Sequence, residues 1–376
     1  MRAPEGLKLP KGKSLRLLKS LYGLKQSGKL WNDEIHNYLL ELGFIRSKLD
    51  PCLYFRRSDG KLTVLGLYVD DVVVSAQLRH RLDNEDARQQ IKDMGEAKKC
   101  LGICIEQTDS GIYLQQTANI DQLLAKLGME NCRPVTTPME STRALQATDS
   151  KPFFSTDVMR ETIGSLLWLS TCTRPDITMA VNYLARFVSS PTTAHWTAVK
   201  RVLRYLQGSP FITTPSGTTT NAKASIFSDA DWAGDKEAKS TSGGLLVLND
   251  MPIAWYSKKQ FTVALSTAEA EYIAGATAVQ DCLWVKQLLD ELDLSKNDNV
   301  ILHIDNQSAI KNMENDVTTA RMKHINIKFH FIRDAVHSKD VEVRYCPTTE
   351  MKADILTKPL GATLHGRNVA MLKLFA

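Results

Sequence analysis

No stretch of this 376-residue chain is apolar for long enough to span a bilayer, and Met1 to Lys19 is polar and basic without a sustained apolar core. Neither a membrane segment nor a secretory leader is expected. Cysteine is sparse and odd in number: seven residues, with no CxxC pair, and Cys100-x-x-x-Cys104 has no second His or Cys pair to complete a zinc site. That argues against a disulfide framework and points to reduced thiols in an intracellular protein. No charge of one sign dominates, since the formal net charge is only +5. Such a mild basic excess permits nucleic-acid binding without demonstrating it. What remains, 43% hydrophobic and 24% charged, is an ordinary globular composition with room for two or three domains.

What the chain does have is acid at the edges of predicted elements. Ala224 to Asp235 alternates as a short strand and then runs into Asp229, Asp231 and Asp235. A solvated Asp-rich turn is the bland explanation. Three further acids reduce its appeal. Leu265-Ser266-Thr267-Ala268-Glu269-Ala270-Glu271-Tyr272 opens a long amphipathic pattern in which Ser266 and Glu269 fit a capping box. Glu271 falls beyond the cap, beside small residues that let a helix lie close to a sheet. Val300 to Ile304 is an apolar run that stops at Asp305, and Asp354 follows the strand-like run Val341 to Tyr345. The predicted order is strand, strand, strand, helix, strand, helix, helix, strand, helix.

That order, with acids at those positions, resembles ribonuclease H. More narrowly, Ser228-Asp229-Ala230-Asp231-Trp232-Ala233-Gly234-Asp235, Ser266-Thr267-Ala268-Glu269-Ala270-Glu271-Tyr272, Asp305-Asn306-Gln307-Ser308-Ala309 and Ala353-Asp354-Ile355-Leu356-Thr357-Lys358 resemble the nuclease part of Ty1/copia-type retrotransposon polyproteins. The resemblance implies a catalytic, metal-holding quartet of Asp229, Glu271, Asp305 and Asp354, with Asp231 and Glu269 as neighbours of lesser claim. It also implies two Mg²⁺ ions, with Mn²⁺ as an alternative, and an RNA–DNA hybrid as substrate. Paired hard cations held by carboxylates suit in-line phosphodiester hydrolysis. Other Pol or Gag products of the element are the further partners implied, no membrane is expected, and the setting is cytoplasmic, in a virus-like particle, or nuclear.

The first third of the chain carries a second set of motifs. Lys19-Ser20-Leu21-Tyr22-Gly23-Leu24-Lys25-Gln26 precedes a helical stripe, Leu30 to Leu42, closed by Gly43. Leu62 to Ser75 reads as a hairpin of two buried strands with Asp70 and Asp71 at its tip. Both resemble copia-type reverse transcriptases, which implies Asp70 as a polymerase metal ligand with Asp71 beside it. The family has Pro where Gly28 stands, and the further acid that polymerase chemistry needs lies upstream of this segment, where only Glu5 is found.

Between the motif regions, helices are predicted over Glu85 to Met94, Asn119 to Leu127, Val158 to Ser170, Asp176 to Val188 and Thr193 to Gln207. A Pro/Thr/Ser-rich segment, Arg133 to Ser155, reads as a linker, and Gly208 to Lys223 as the clearest boundary. Lys200, Arg201 and Arg204 form a basic cluster that is a solvated face or, beside its neighbours, a phosphate track. Lys323, Lys328 and Arg333 lie on a basic, apolar-interleaved helix whose bland role is to cover the sheet and whose implied role is to hold the substrate backbone. Asn326 stands where the family carries Asp, and the loop Pro347 to Lys352 has no His for a product-release step.

The fold class expected is α/β (α+β): a ribonuclease H-like mixed five-stranded sheet with flanking helices, preceded by a partial reverse-transcriptase palm and a helical thumb and connection. Expected domains are palm 1–110, thumb and connection 111–208, linker 209–223, nuclease 224–362 and tail 363–376. The expected activity is metal-dependent endonucleolytic cleavage of RNA in RNA–DNA hybrids. The alternatives are a non-catalytic nucleic-acid-binding remnant, or an RNA-directed DNA polymerase when the upstream palm is supplied. This polypeptide alone is expected to give no templated DNA synthesis, and primer extension by the purified chain would overturn that expectation.

Overall fold

A computed structural model of the chain describes residues 10, 12–13, 15–76, 94–109, 111–146, 150–209, 212–213, 223–295, 299–314 and 326–375. The helix expected over Glu85 to Met94 falls, apart from Met94, outside these residues. Two compact units emerge, 1–96 and 97–376.

In the first unit, α1 (Ser27–Glu41) is followed by β1 (Ile45–Arg46), β2 (Leu53–Ser58), β3 (Lys61–Tyr68) and β4 (Asp71–Ala76), an antiparallel sheet in sequence order. Ile35 and Leu39 of α1 bury against Phe44, Tyr54, Leu65 and Leu67. Gly43, at φ +77°, takes the left-handed turn that ends the helix. The expected hairpin is present, with Tyr68 opposite Asp71 and the Val69 carbonyl accepting from Trp31 Nε1 at 2.7 Å. Its expected burial holds for β3, through Leu65 and Leu67, but not for β4: among the described residues β4 is the edge strand, Val73 and Val74 are well exposed, and Asp70 and Asp71 face solvent.

The second unit begins with β5 (Lys99–Cys100), β6 (Ile103–Thr108) and β7 (Gly111–Gln115), then α2 (Thr117–Lys126), α3 (Thr156–Cys172), α4 (Thr178–Ala185), α5 (Thr193–Gln207) and β8 (Ile212–Thr213). The break between the units lies at 96/97 and not at 110, because β6 and β7 are one hairpin, Cys104 opposite Gln115 through Thr108 opposite Gly111. A cut at 110 would sever it. Residues Met159, Ile163, Leu166 and Leu169 of α3 and Val199, Val202, Leu203 and Leu206 of α5 belong to one buried core, with α4 packed against both helices. α5 starts where its cap predicts: Thr192 accepts from the His195 amide, and His195 Nδ1 accepts from the Thr192 amide.

The described residues of 133–155 do not form a loose linker. Met139, Leu145 and Phe153 are buried in that same core. α5 pins the stretch down: Arg201 pairs with Glu140 at 2.7 Å and donates to Thr137, Arg204 donates to the Arg133 carbonyl at 2.7 Å, and His195 Nε2 meets the Leu145 carbonyl at 3.0 Å.

The remainder comprises β9 (Ala224–Asp231), β10 (Thr241–Leu248), β11 (Met251–Lys259), α6 (Thr267–Glu291), β12 (Val300–Ile304), α7 (Gln307–Glu314), α8 (Asn326–His337), β13 (Val341–Tyr345), α9 (Ala362–Met371) and β14 (Leu374–Phe375). The sheet runs β11-β10-β9-β12-β13, the first three antiparallel and β12 and β13 parallel to β9. This is the mixed five-stranded sheet with flanking helices that the resemblance implied. Alternation along the strands splits the core in two. Ile226 and Leu246 face Tyr272, Ala276 and Val279 of α6, with Met313 and Ile332 behind. Phe227, Leu245 and Val247 face Met351, Ile355, Leu356 and Val369. Residues 363–375 are therefore part of the core rather than a tail: Leu372 and Leu374 are buried, and β14 pairs with β8.

Gly243 makes one close approach possible. A Cβ there would lie 2.7 Å from Thr357 Cγ2, 2.8 Å from Leu356 Cβ and 3.2 Å from the Ala353 carbonyl. The 3-10 turn Lys352–Leu356 thus sits directly on β10, opposite the point where Gly243 pairs with Asp229. We expect Gly243→Ala to push this turn away and to cost about 1–3 kcal/mol of stability. Thermal and denaturant unfolding check this, and a variant as stable as the parent would contradict the packing described.

Candidate metal centre

Each of the expected acids is delivered by a different element. Asp229 lies on β9, the central strand. Glu271 projects from the second turn of α6, Asp305 follows the last residue of β12, and Asp354 sits in the 3-10 turn. The α6 start is fixed by Ser266, whose hydroxyl accepts from the Glu269 amide at 3.2 Å, while the Glu269 carboxylate accepts from the Leu265 amide at 2.8 Å. Glu269 therefore has the capping job its sequence position suggested, reaching one residue further back than a strict capping box. Trp232 Nε1, donating to the Ala264 carbonyl at 3.0 Å, ties the loop before α6 to the end of β9.

Oxygens of Asp229, Glu271 and Asp305 all lie within 4.8 Å of one another, and among the described residues this is the one grouping of three or more potential ligands. Asp229 and Glu271 are buried, and Asp305 is half-buried. Asp354, also buried, joins through Lys358. The Lys358 ammonium donates to Asp354 Oδ1 at 2.7 Å and stands 3.6 Å from Asp229 Oδ2. Thr357 donates to Asp229 Oδ2 and lies 3.1 Å from the Asp354 carbonyl. Thr348 donates to Asp305 Oδ2 at 3.0 Å, and the Ala230 amide donates to Glu271 Oε1 at 3.1 Å. The second Glu271 oxygen, Oε2, is buried and has no hydrogen-bond partner.

An all-oxygen donor set around a buried, unpartnered carboxylate oxygen fits a hard divalent cation such as Mg²⁺. Without one the charges oppose each other. Burial pushes the Glu271 carboxyl up to about 10, with Asp229 and Asp305 adding to the rise. Burial and then Asp229 lift Asp354 to about 6 and lift Asp305 as well. Asp231, on the same strand, is raised by burial against the pull of Lys358. For Lys358 burial works the other way, yet Asp229 and Asp354 outweigh it and hold the ammonium charged.

The other expected site residues behave differently. Arg333 is buried and donates through Nε and Nη2 to the Asn312 carbonyl at 3.2 and 3.1 Å, joining α8 to α7, so it is not placed to hold a substrate phosphate. Arg201 and Arg204 are engaged with 133–140, while Lys200 is exposed. Lys323 and the side chain of Lys328 lie outside the described residues. Asp70 and Asp71 have no third acid placed with them among the described residues. Thr348, Thr357 and Lys358 were not singled out from sequence. For Lys358 a signal existed, its i,i+4 spacing from Asp354. For the threonines there was none.

The strand order, with acids at the end of the first strand, the start of the first helix and the end of the fourth strand, defines a ribonuclease H-like fold. Sequence relatives cover most of the chain. Residues 1–141 match the family model described as Reverse transcriptase (RNA-dependent DNA polymerase). The chain is 39% identical over 355 residues to the retrovirus-related Pol polyprotein from transposon RE1 of Arabidopsis thaliana, covering 93% of this chain and 24% of that protein. It is 36% identical over 377 residues to the Pol polyprotein from transposon TNT 1-94 of Nicotiana tabacum, covering 95% of this chain and 28% of that protein. The chain belongs to the Pol polyproteins of copia-type transposons and spans about a quarter of the length of these relatives. Among solved structures, LC11-RNase H1 in complex with RNA/DNA hybrid is similar over 36% of this chain and 94% of its own, at 16% identity and a TM-score of 0.29. The fold assignment rests on strand order and register instead. Among the described residues no helix is long and apolar enough to cross a membrane.

The raised carboxyls set a pH dependence. A folded chain that holds the Glu271 proton up to about pH 10 binds more protons than the unfolded chain above roughly pH 4.3, so this centre lowers stability as pH rises through that window. Metal binding requires the proton to leave and reverses the effect. In chelator, the melting temperature of the full chain is expected to fall between about pH 6 and pH 9. Added Mg²⁺ or Mn²⁺ should raise it more at the higher pH. Equal metal shifts at both would contradict a protonated, metal-accepting Glu271.

Proposed function

We propose that this centre hydrolyses the RNA strand of an RNA–DNA hybrid in a divalent-metal-dependent, endonucleolytic reaction. The observation that carries the proposal is the convergence of Asp229, Glu271 and Asp305 within 4.8 Å, with Glu271 Oε2 buried and without a hydrogen-bond partner. Burying such a group is costly unless something neutralises it. Divalent ions, when bound, supply Lewis acidity and a nucleophilic water at neutral pH. The protein's own part is to hold the carboxyl groups in place around the position a cation would take. Thr348 aims Asp305, Thr357 aims Asp229, the Ala230 amide holds one oxygen of Glu271, and Lys358 keeps Asp354 ionised. The nucleophile is water, with no covalent enzyme intermediate. Membership of the copia-type Pol family supports a hybrid as the natural substrate, since such elements pass through an RNA template. On the same basis we assign 1–96 to a palm-like part of a reverse transcriptase and the 97–208 helices to thumb and connection.

A labelled RNA–DNA hybrid tests the proposal. With Mg²⁺ the full chain is expected to cut the RNA strand internally and to leave single-stranded RNA and duplex DNA intact. Chelation should abolish cutting, and Asp305→Asn should lower the rate by about 10² or more. Equal cutting by parent and variant would mean that the active site lies elsewhere. Binding of the hybrid without cutting, under saturating metal, would favour the non-catalytic remnant.

A further inference from the structure

Two groupings of acids share Asp229. Glu271 and Asp305 lie within 4.8 Å of it, and among the described residues their hydrogen bonds come from the Ala230 amide and the Thr348 hydroxyl. Asp354 is joined to it by the Lys358 ammonium, which lies 2.7 Å from Asp354 Oδ1 and 3.6 Å from Asp229 Oδ2 and acts on Asp305 and Glu271 only through its charge. An i,i+4 pair on a helical turn would account for the first contact alone. It does not account for the second, which takes the ammonium across to the central strand. Thr357, donating to Asp229 Oδ2, holds the preceding residue in place, so the lysine is aimed at this gap by the backbone.

We infer that Lys358 is a built-in cation occupying the second of the centre's two cation positions, so that one divalent ion enters readily and a second enters only when Lys358 withdraws. The inference rests on the proposed nuclease reading and concerns how many ions the resting centre accepts. Exposure gives the exit route. The Lys358 side chain is 37% exposed, against 3% for Asp229 and 7% for Asp354, so it reaches solvent while the two carboxylates it meets do not. A long-stemmed ammonium can leave for water without disturbing the sheet. Such a device offsets the repulsion between Asp229 and Asp354 before metal arrives. It also sets a threshold, because the second ion must supply more stabilisation than the ammonium it replaces.

Mn²⁺ titration of the full chain, without nucleic acid and near neutral pH, followed by the electron paramagnetic resonance of free Mn²⁺, counts the ions directly. The parent is expected to bind one ion, with a second weaker by at least about tenfold. Lys358→Met should tighten the second ion by at least about tenfold and leave the first nearly unchanged, while Lys358→Arg should keep the second weak. Asp305→Asn, which removes a ligand of the first ion only, should weaken the first. An unchanged second affinity in Lys358→Met, or two equally tight ions in the parent, overturns the inference. If Asp305→Asn still weakens the first ion in that case, the nuclease reading survives alone. If no protein binds Mn²⁺, both fall. Should Lys358→Met unfold without metal, its melting temperature reports instead: recovery to the parent value in Mn²⁺ supports the inference, and failure to recover at saturating Mn²⁺ overturns it.

Discussion

The structure around the centre is organised by mutual repulsion among buried carboxylates. Asp229, Glu271 and Asp354 are each nine-tenths or more buried, and Asp305 stands beside them. Like charges at this spacing in a poorly solvated site resist ionising together. Each acid therefore has its own compensation: a hydroxyl and an ammonium for Asp229, the same ammonium for Asp354, a hydroxyl for Asp305, and one backbone amide for Glu271. Glu271 is the least compensated and carries the largest rise. The place with the greatest electrostatic deficit is the place where a cation would gain most.

Holding four acids together from positions 229 to 354 requires a rigid frame, and the sheet supplies it. The parallel pairing of β12 with β9 sets Asp305 relative to Asp229, and α6 lies close to the sheet, with Gly275 against Ile304 and Met313. Gly243 lets the last acidic turn rest on β10. Helices α3 and α4 brace the opposite side: Trp255 Nε1 donates to the Ser170 carbonyl at 2.7 Å, and α4 packs along β11. A second buried charge site locks this junction. Arg174 is fully enclosed, its guanidinium fork set on Asp176 at 2.7 and 2.9 Å, with Tyr205 donating to the same carboxylate at 2.8 Å. Asp176 is held below the ordinary carboxylate range: burial alone would raise it, but Arg174 and Tyr205 outweigh that. His365 of α9 stacks edge-on against Tyr205, so the C-terminal helix is part of the same knot. The two buried sites differ in one respect: here the countercharge is an arginine in bidentate register, whereas Glu271 feels only the more distant charge of Lys358.

Periodicity made the elements legible. α5 runs over the predicted residues, and the strand at 243–248 and the helix opening near Ser266 sit where alternation and capping put them. The acids were legible because each lies at or within a few residues of the end of an element, where side chains from neighbouring strands and helices converge. Burial of basic side chains was not legible. Arg333, Arg201 and Arg204 share the composition of a phosphate track, but whether a guanidinium reaches outward or caps a carbonyl depends on tertiary neighbours such as Asn312 and Arg133. Composition also misled at 133–155, where prolines and threonines suggest a linker while the few apolar residues among them find a core to enter. The boundary near 110 failed for a related reason, since a hairpin that joins two expected domains leaves no mark in local sequence.

The two acidic motifs of the chain show what separates a charged centre from a charged turn. Tyr68-Val69-Asp70-Asp71 and Ser228-Asp229-Ala230-Asp231 are alike on paper, each pairing acids with an apolar strand. At 70–71 the hairpin tip is solvated and no third acid stands with it among the described residues, so water screens the charges. At 229 the strand lies in the middle of a sheet covered on both faces, acids from three other elements close in, and water is largely excluded. Burial and convergence, not the number of aspartates, create the demand for a cation, and both are properties of the sheet's order rather than of either tetrapeptide.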